Sequence, residues 1–197
     1  MPDHDLVVVG ASAGGVEALQ QLVAGLPAEL AAALLIVLHT PPTRESRLPA
    51  ILGRAGVLPT AHARDGERIR PAQIYVAPPN YHLTVQTESL RLVQGPTENG
   101  FRPAADPLFR TAAQAYGARV VGVVLSGALD DGAAGLTAIK QQGGVTVAQD
   151  PDEAIVPGMP RSAIRFDHVD HVLPVAAIAA LLVRLAGSPA LEGDREG

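Results

Sequence analysis

The sequence predicts a single α/β domain with a doubly wound, mostly parallel, Rossmann-like sheet and a small antiparallel hairpin. Three observations carry this prediction. Continuous apolar runs such as 6–9 and 34–38 are typical of strands buried on both faces. Stretches with apolar residues at helical spacing alternate with these runs. Two runs, 82–85 and 90–93, alternate apolar and polar residues, which predicts a hairpin with one solvated face.

The chain begins with a strand–helix–strand unit. The first strand is expected over 6–9, the helix over 16–24 and the second strand over 34–38, where the segment 39–42 ends it. Such a unit favours parallel pairing with a right-handed crossover.

The remaining elements follow from the same two periodicities. Further strands are expected over 74–77, 120–125, 145–148 and 169–173. Further helices are expected over 48–54, 107–117, 132–142 and 175–186, with a helical turn over 162–165. Because no repeat or linker divides the chain, we expect one domain over 1–186 and a polar, disordered tail over 187–197.

Composition excludes several classes of function. The 197 residues contain no cysteine, which excludes a disulfide scaffold, a cysteine-ligated zinc site and a thiol nucleophile. The net charge of −5 and the scattered basic residues argue against nucleic-acid binding. No apolar run reaches the roughly 18 residues of a membrane span, and the acidic N-terminus is unlike a signal peptide. We therefore expect a cytoplasmic protein that does not insert into membranes.

The segment between the first strand and the first helix, GASAGG at 10–15, fits three interpretations. As G-x-S-x-G, it predicts a nucleophile turn that leaves Ser12 Oγ at a helix N-terminus, where free N–H groups stabilise an oxyanion. As a glycine-rich turn, it equally fits the pyrophosphate of a dinucleotide. The third interpretation is a tight turn that only packs the helix against the strand.

The end of the second strand separates the first two interpretations. A dinucleotide site places an acidic residue there to bind the ribose, whereas this chain has His39. Because neighbouring parallel strands end at one edge of a sheet, an imidazole there can reach the Ser12 hydroxyl as a general base. A merely solvated or hydrogen-bonded histidine is the alternative.

A third candidate segment follows the strand over 120–125 and contains Asp130 and Asp131. An acid at this position can orient an imidazole and stabilise its charged form. Capping of the next helix would explain one aspartate but not both. The chain order Ser, His, Asp differs from the Ser, Asp, His order of α/β-hydrolases, so the G-x-S-x-G match does not indicate that fold.

With these residues in place, the sequence resembles the catalytic domain of the chemotaxis protein-glutamate methylesterases, the CheB family. The resemblance runs from about residue 6 to residue 182. It rests on segments that are highly specific in this order: GASAGG (10–15), IVLH (36–39), DGE (65–67), YVAPP (75–79), RPAAD (102–106), DDGAAG (130–135), AQD (148–150) and PGMP (157–160).

The resemblance implies a catalytic triad. Its nucleophile falls on Ser12 and its general base on His39, and its acid, which directly precedes Gly-Ala, falls on Asp131. Backbone N–H groups of Ala13 and Ala128 are the expected oxyanion donors.

Two further residues, Met159 and Arg102, are candidates for the substrate pocket. Met159 lies in the family's Gly-Met-Pro segment, and packing is its alternative role. Arg102 is a candidate contact for an acidic substrate, and its alternative role is to pair with Asp106 or to position the loop before the helix. His62 and His82 are expected in surface loops.

Three departures from the family pattern bear on substrate preference. The family's threonine after the serine is Ala13, its G-M-G is GAL at 127–129, and its glutamine before the histidine is Leu38. The triad positions are kept. The segment 42–49 is more similar to members fused to a receptor methyltransferase than to two-domain response regulators.

The resemblance implies a serine hydrolase that cleaves glutamyl methyl esters on chemoreceptors, with deamidation of glutamine as a second activity. A dinucleotide- or phosphate-binding module without esterase activity is the alternative. No cofactor and no metal are expected. The expected partners are a methyl-accepting chemoreceptor-like substrate and a methyltransferase or a separate regulatory chain, because the esterase domain accounts for nearly all 197 residues and leaves no room for a receiver domain.

Overall fold

The computed structural model describes residues 4–167 and 169–187. The strands in this part of the chain are Leu6–Ala11 (β1), Ala33–Leu38 (β2), Thr60–His62 (β3), Ile74–Val76 (β4), His82–Gln86 (β5), Ser89–Val93 (β6), Val120–Val124 (β7), Val145–Gln149 (β8) and His171–Leu173 (β9). The α-helices are Gly15–Ala24 (α1), Leu48–Ala55 (α2), Ala105–Tyr116 (α3), Ala133–Gln141 (α4), Gly158–Asp167 (α5) and Val175–Leu185 (α6), and a 3₁₀ turn covers Gly117–Arg119.

Within the described residues, seven strands form one parallel sheet in the order β3-β4-β2-β1-β7-β8-β9. β1 pairs with β2 on one side and with β7 on the other. β5 and β6 pair antiparallel as a separate hairpin. The predicted doubly wound α/β fold with a small hairpin is confirmed.

The central strand β1 contributes to two separate cores, and all six of its residues are buried. Val7 and Val9 belong to the core that includes α1, α2 and α6, whereas Leu6 and Val8 belong to the core that includes α3, α4 and α5. Helices on both faces leave no solvated side for polar residues, which is why the strand is a continuous apolar run.

The register of the sheet brings the ends of β1, β2 and β7 together. Ala11 is the partner of Leu38, and one step further His39 N donates to Ala11 O at 3.1 Å. On the other side of β1, Ser12 N donates to Ser126 O at 2.9 Å. Ser12 therefore lies between the segments that leave β2 and β7.

Three features differ from the expectations. The edge strand β3 is missing from the sequence-based prediction, because its residues are only partly buried and carry no apolar run. α5 is a full helix where only a turn over 162–165 is expected. His82 is buried rather than exposed, since its Nε2 donates to Pro96 O at 2.8 Å and its Nδ1 accepts from Ala104 N at 3.3 Å.

The expected tail over 187–197 lies outside the described residues apart from Gly187. Its disorder, and the domain boundary at 186, stay predictions. No helix in the described ranges combines the length and the hydrophobicity that crossing a bilayer requires.

Close packing of α3 on α4 generates a prediction about Gly135. A Cβ at this position would overlap Phe109 Cβ and lie 3.0 Å from Asp106 Oδ1. Because relief of that overlap requires one helix to shift, we expect Gly135→Ala to lower the free energy of unfolding by about 1–3 kcal/mol in urea denaturation.

Gly53 provides a matched control, because it also lies inside a helix but a Cβ there would meet nothing within 4 Å. Gly53→Ala is expected to leave the free energy of unfolding unchanged or to raise it by up to about 1 kcal/mol. Equal effects of the two substitutions would contradict the packing described for α3 and α4.

Candidate active site

Ser12 lies in the tight turn that joins β1 to α1. Gly15 N donates to Ser12 O at 2.8 Å, and Gly14 adopts a φ of 72°, a conformation that favours glycine. A Cβ at Gly14 would lie 2.6 Å from both Ser126 Oγ and Ile155 Cβ. Glycine is therefore required here both for its conformation and for space, and the turn leaves Ser12 partly exposed beside the start of α1.

Ser126, the serine that follows β7, serves as a structural link. Its side chain is buried, its Oγ donates to Ala13 O at 2.7 Å, and the same oxygen accepts from Val156 N at 2.9 Å. One hydroxyl thus joins the segments that follow β1, β7 and β8. A buried hydroxyl with these bonds is a poor nucleophile.

The expected oxyanion donors, Ala13 and Ala128, are both exposed. Ala13 directly follows Ser12. Ala128 follows Gly127, where a Cβ would lie 2.9 Å from Ser12 Cβ. Gly127 is fixed on both sides, because its N–H donates to Val156 O at 2.9 Å and its carbonyl accepts from Met159 N at 2.8 Å. The N–H groups of Ala13 and Ala128 therefore directly follow two residues, Ser12 and Gly127, that lie side by side.

The two candidate pocket residues have different surroundings. Met159 is fully buried, and a Cβ at Gly127 would overlap its Sδ, so its side chain packs directly behind that turn. Arg102 donates from Nε and Nη2 to Asn80 Oδ1 at 3.1 and 2.6 Å and from Nη1 to Gly95 O at 2.6 Å. Its guanidinium thus fastens two loops together rather than pairing with Asp106.

His39 and Asp131 form the central contact of the site. His39 Nε2 lies 2.6 Å from Asp131 Oδ2, and the two side chains are 3% and 0% exposed. Burial by itself would raise the pKa of Asp131, but hydrogen bonds from His39 and from the Ala105 N–H outweigh it and lower the pKa below its ordinary value. Asp131 is therefore a carboxylate, which can only accept a hydrogen bond.

This contact assigns the tautomer of His39. Because the Asp131 carboxylate accepts, Nε2 carries the proton and Nδ1 carries the lone pair. Nδ1 is buried and has no hydrogen-bond partner among the described residues. Nδ1 is thus the atom of His39 that is able to take up a proton.

Phe101 covers one face of the His39 ring. The ring centroids are 3.6 Å apart and the planes are inclined by 11°. This stacking fixes the plane of the imidazole and keeps water from that face.

The carboxylate of Asp131 accepts four hydrogen bonds in all. In addition to His39, Ala105 N lies 2.6 Å from Oδ2, and Asp106 N and Asn99 Nδ2 lie 3.1 and 2.8 Å from Oδ1. Ala105 and Asp106 are the first residues of α3, whose unpaired N–H groups and helix dipole stabilise an anion. The start of α3 thereby holds the acid at the sheet edge.

The two aspartates after β7 have different environments. Asp131 is buried and Asp130 is exposed. The alternative interpretation, in which one of them caps α4, does not hold, because Asp106 supplies the cap instead. Its Oδ1 accepts from Gly132 N at 3.1 Å and from Gly135 N at 2.7 Å.

Sequence reasoning missed Asn99 and Phe101, which lie on one tight turn. Glu98 and Phe101 exchange two backbone hydrogen bonds of 3.0 and 2.8 Å, and Asn99 and Gly100 between them have φ values of 52° and 83°. Asn-Gly with both φ positive is typical of a type I′ turn. That dipeptide was a usable signal for the turn, although nothing local indicates where the turn docks.

Among the described residues, no group of three or more His, Asp or Glu side chains is arranged so that it could hold a metal ion. The chemistry available at this edge is that of a serine, an imidazole and a carboxylate.

Comparisons with known proteins identify the family of this chain. The family model described as CheB methylesterase matches residues 7–182. The crystal structure of the Thermotoga maritima CheB methylesterase catalytic domain superposes with a TM-score of 0.88 at 33% identity, over 92% of this chain and 98% of that one.

Two relatives show how much of the chain is shared. The Methanosarcina acetivorans protein named protein-glutamate methylesterase/protein-glutamine glutaminase 2 is 37% identical over 192 residues, which cover 93% of this chain and 54% of that protein. A relative from Leptospira interrogans is 38% identical over 184 residues, which cover 93% of this chain and 95% of the relative. The chain thus spans about half the length of the first and nearly all of the second.

The resemblance inferred from the sequence motifs is confirmed, and the dinucleotide-binding alternative is not favoured. Since the family model covers almost the entire described part and the T. maritima domain shares its fold, the chain belongs to the CheB methylesterase family.

Proposed function

We propose that this chain is a protein-glutamate methylesterase in which Ser12 is the nucleophile, His39 the general base and Asp131 the acid that orients it. The observation that carries the proposal is the 2.6 Å contact between His39 Nε2 and Asp131 Oδ2, at the sheet edge where Ser12 lies. The relatives' names support the reaction, since they combine protein-glutamate methylesterase with protein-glutamine glutaminase.

The acylation step follows from the tautomer of His39. Nδ1 accepts the proton of Ser12 as Oγ attacks the ester carbonyl carbon, and Asp131 stays ionised and stabilises the resulting imidazolium. Catalytic hydrogen bonds of free enzymes are often long and tighten when substrate binds, which fits the unpartnered Nδ1 of this structure.

The developing oxyanion is stabilised by the N–H groups of Ala13 and Ala128. Each donor of this kind contributes about 3–4 kcal/mol to transition-state stabilisation. The imidazolium then protonates the leaving methoxide oxygen, which departs as methanol. A water molecule enters, His39 takes its proton, and the acyl-serine is hydrolysed to the free carboxylate. Glutamine deamidation uses the same steps with ammonia as the leaving group.

The substrate of this reaction is a glutamyl methyl ester on a methyl-accepting chemoreceptor-like protein in the cytoplasm. A methyltransferase or a separate regulatory chain is the further partner. The departure at 127–129 leaves the donor in place, because replacing methionine by Ala128 keeps its N–H. Leu129 is 63% exposed at a φ of 66°, and its side chain adds an apolar surface at the rim that bears on which substrate binds.

Labelling by a fluorophosphonate tests the nucleophile and its base. We expect the wild-type chain to be labelled at Ser12. Ser12→Ala should abolish labelling because it removes the hydroxyl, and His39→Ala should abolish it because the hydroxyl is unreactive without a base. The label is located by peptide mass spectrometry. Ser89→Ala, which alters a serine in β6, is the matched control and should be labelled like the wild type. Full labelling of His39→Ala would mean that His39 is not the general base.

Methanol release from a methylated chemoreceptor fragment tests the natural reaction. We expect release with the wild-type chain and a loss of at least about 10³-fold with Ser12→Ala, since only uncatalysed or water-assisted hydrolysis remains. A chain that reacts with the fluorophosphonate but releases no methanol would be a serine hydrolase with another substrate. Nucleotide binding measured by calorimetry, without fluorophosphonate labelling, would favour the phosphate-binding alternative.

The pKa of Asp131 predicts how acidity affects stability. A carboxyl whose pKa is lowered by folding stabilises the fold above its unfolded pKa, near 3.8, and this stabilisation is lost as pH falls through the lower folded value. Asp106 affects stability in the opposite sense. Burial and the nearby Asp131 charge raise its pKa, so this carboxyl does not stabilise the fold when it ionises. The difference in unfolding free energy between wild type and Asp131→Asn should therefore shrink as pH falls below about 4.

Chemical denaturation at a series of pH values between 7 and 3 measures this difference. Glu29→Gln is a matched control, because Glu29 is exposed and its substitution should leave the pH dependence unchanged. A difference that stays constant over the whole range would mean that folding does not shift the pKa of Asp131, and a difference that grows as pH falls would mean that the carboxyl is neutral in the folded chain.

A further inference from the structure

We propose that Asn99 is a positioning residue of this site, which holds Asp131 in place by sharing one side-chain amide between two buried carboxylates. The proposal rests on the proposed function, because its effect on rate passes through Asp131 and His39. Asn99 itself touches neither Ser12 nor the imidazole in the hydrogen bonds described for it.

The geometry of the amide is that of a bridge. Asn99 Nδ2 lies 2.8 Å from Asp131 Oδ1 and 2.8 Å from Asp106 Oδ2. An amide nitrogen has two N–H groups, so each carboxylate receives one of them. No donor capacity of the Asn99 side chain is left for another partner.

The charges explain why such a bridge is needed. Asp106 and Asp131 are 5% and 0% exposed. Burial raises the pKa of Asp106, the charge of Asp131 raises it further, and the hydrogen bond from Asn99 opposes both effects. Arg110 also lowers the pKa of Asp106, but its guanidinium lies 2.8 Å from Glu98. The two carboxylates are thus held together by neutral N–H donors.

Removal of the amide would change both members of the pair. Asp131 would keep three of its four donors, and its repulsion from Asp106 would no longer be reduced by the shared amide. Because Asp131 Oδ2 fixes the Nε2 proton of His39, a shift of this carboxylate alters the orientation of the base.

The turn that carries Asn99 also contacts the base directly. Phe101 stacks on His39, and the turn is fastened to α3 through the pairing of Glu98 with Arg110 at 2.8 and 2.9 Å. One segment, 98–101, therefore contacts the imidazole with one side chain and the acid with another. The turn therefore supports the proposed triad through direct contacts.

Asn99→Gly tests the amide without disturbing the turn. Asn99 has a φ of 52°, which glycine adopts readily, so the variant loses the side chain and keeps the type I′ geometry. We expect kcat for methanol release to fall about 10- to 100-fold, the range for the loss of one hydrogen bond to a buried ion, with KM changed by less than about threefold.

Thr87→Gly is the matched control. Thr87 lies between β5 and β6 with a φ of 54°, so glycine there introduces the same backbone freedom at another positive-φ position. This variant should keep wild-type kcat and KM. A loss in Thr87→Gly equal to that in Asn99→Gly would assign the effect to backbone freedom and overturn the proposal.

Asn99→Asp tests whether Asn99 acts as a hydrogen-bond donor or only shapes the turn. Aspartate tolerates the left-handed conformation but adds a third carboxylate to the pair. We expect a loss of kcat at pH 7 at least as large as that in Asn99→Gly. If Asn99 only shaped the turn, Asn99→Asp would retain full activity, and this result would overturn the proposal.

A readout that needs no substrate distinguishes failure of this proposal from failure of the proposed function. The His39 Nε2 proton should give a downfield proton resonance in the wild type and in Thr87→Gly, and a shifted or exchange-broadened one in Asn99→Gly. If the wild type shows no esterase activity, the proposed function fails while this resonance still decides the role of Asn99. If the wild type is active and Asn99→Gly changes neither the resonance nor kcat, the positioning role is refuted.

Discussion

Burial of the Asp131 carboxylate is the constraint on which the rest of the site depends. A carboxylate removed from water is strongly unfavourable unless its lone pairs are hydrogen-bonded. Here the donors come from three separate parts of the chain: the end of β2 through His39, the first turn of α3, and the turn over 98–101. Those parts must converge for the ion to be stable, so the packing of α3 and the geometry of the triad are one arrangement.

The sequence was informative where a local pattern determines the structure. The apolar runs of β1, β2 and β7 are buried on both faces, and parallel strands align their ends, so the positions of Ser12, His39 and one of two aspartates at one edge could be predicted. The choice of Asp131 over Asp130 came from the family resemblance. The contacts around these residues could not be predicted. Asn99 reaches Asp131 across 32 positions in the chain, and the cap of α4 comes from Asp106 on a different helix.

Polar residues that complete such networks have no periodic signal of their own. His82 looks like a loop residue because it precedes a polar-faced hairpin, yet two backbone groups satisfy its ring and allow it to be buried. Ser126 likewise joins three segments through one hydroxyl. Side chains that form cross-links of this type become recognisable only when their distant partners are known.

The orientation of the His39 ring affects how the distance between His39 and Ser12 is set. Nδ1 is bonded directly to Cγ and is therefore one bond nearer to the main chain than Nε2. With Asp131 bound at Nε2, the unprotonated ring nitrogen is the one closer to the main chain, and adjacent strands are only about 4.8 Å apart. The hydrogen bonding between β1 and β2 then sets the distance between His39 and Ser12, the proposed base and nucleophile. Under the proposed mechanism, substitutions deep in the sheet that change strand separation would alter catalysis without touching a catalytic group.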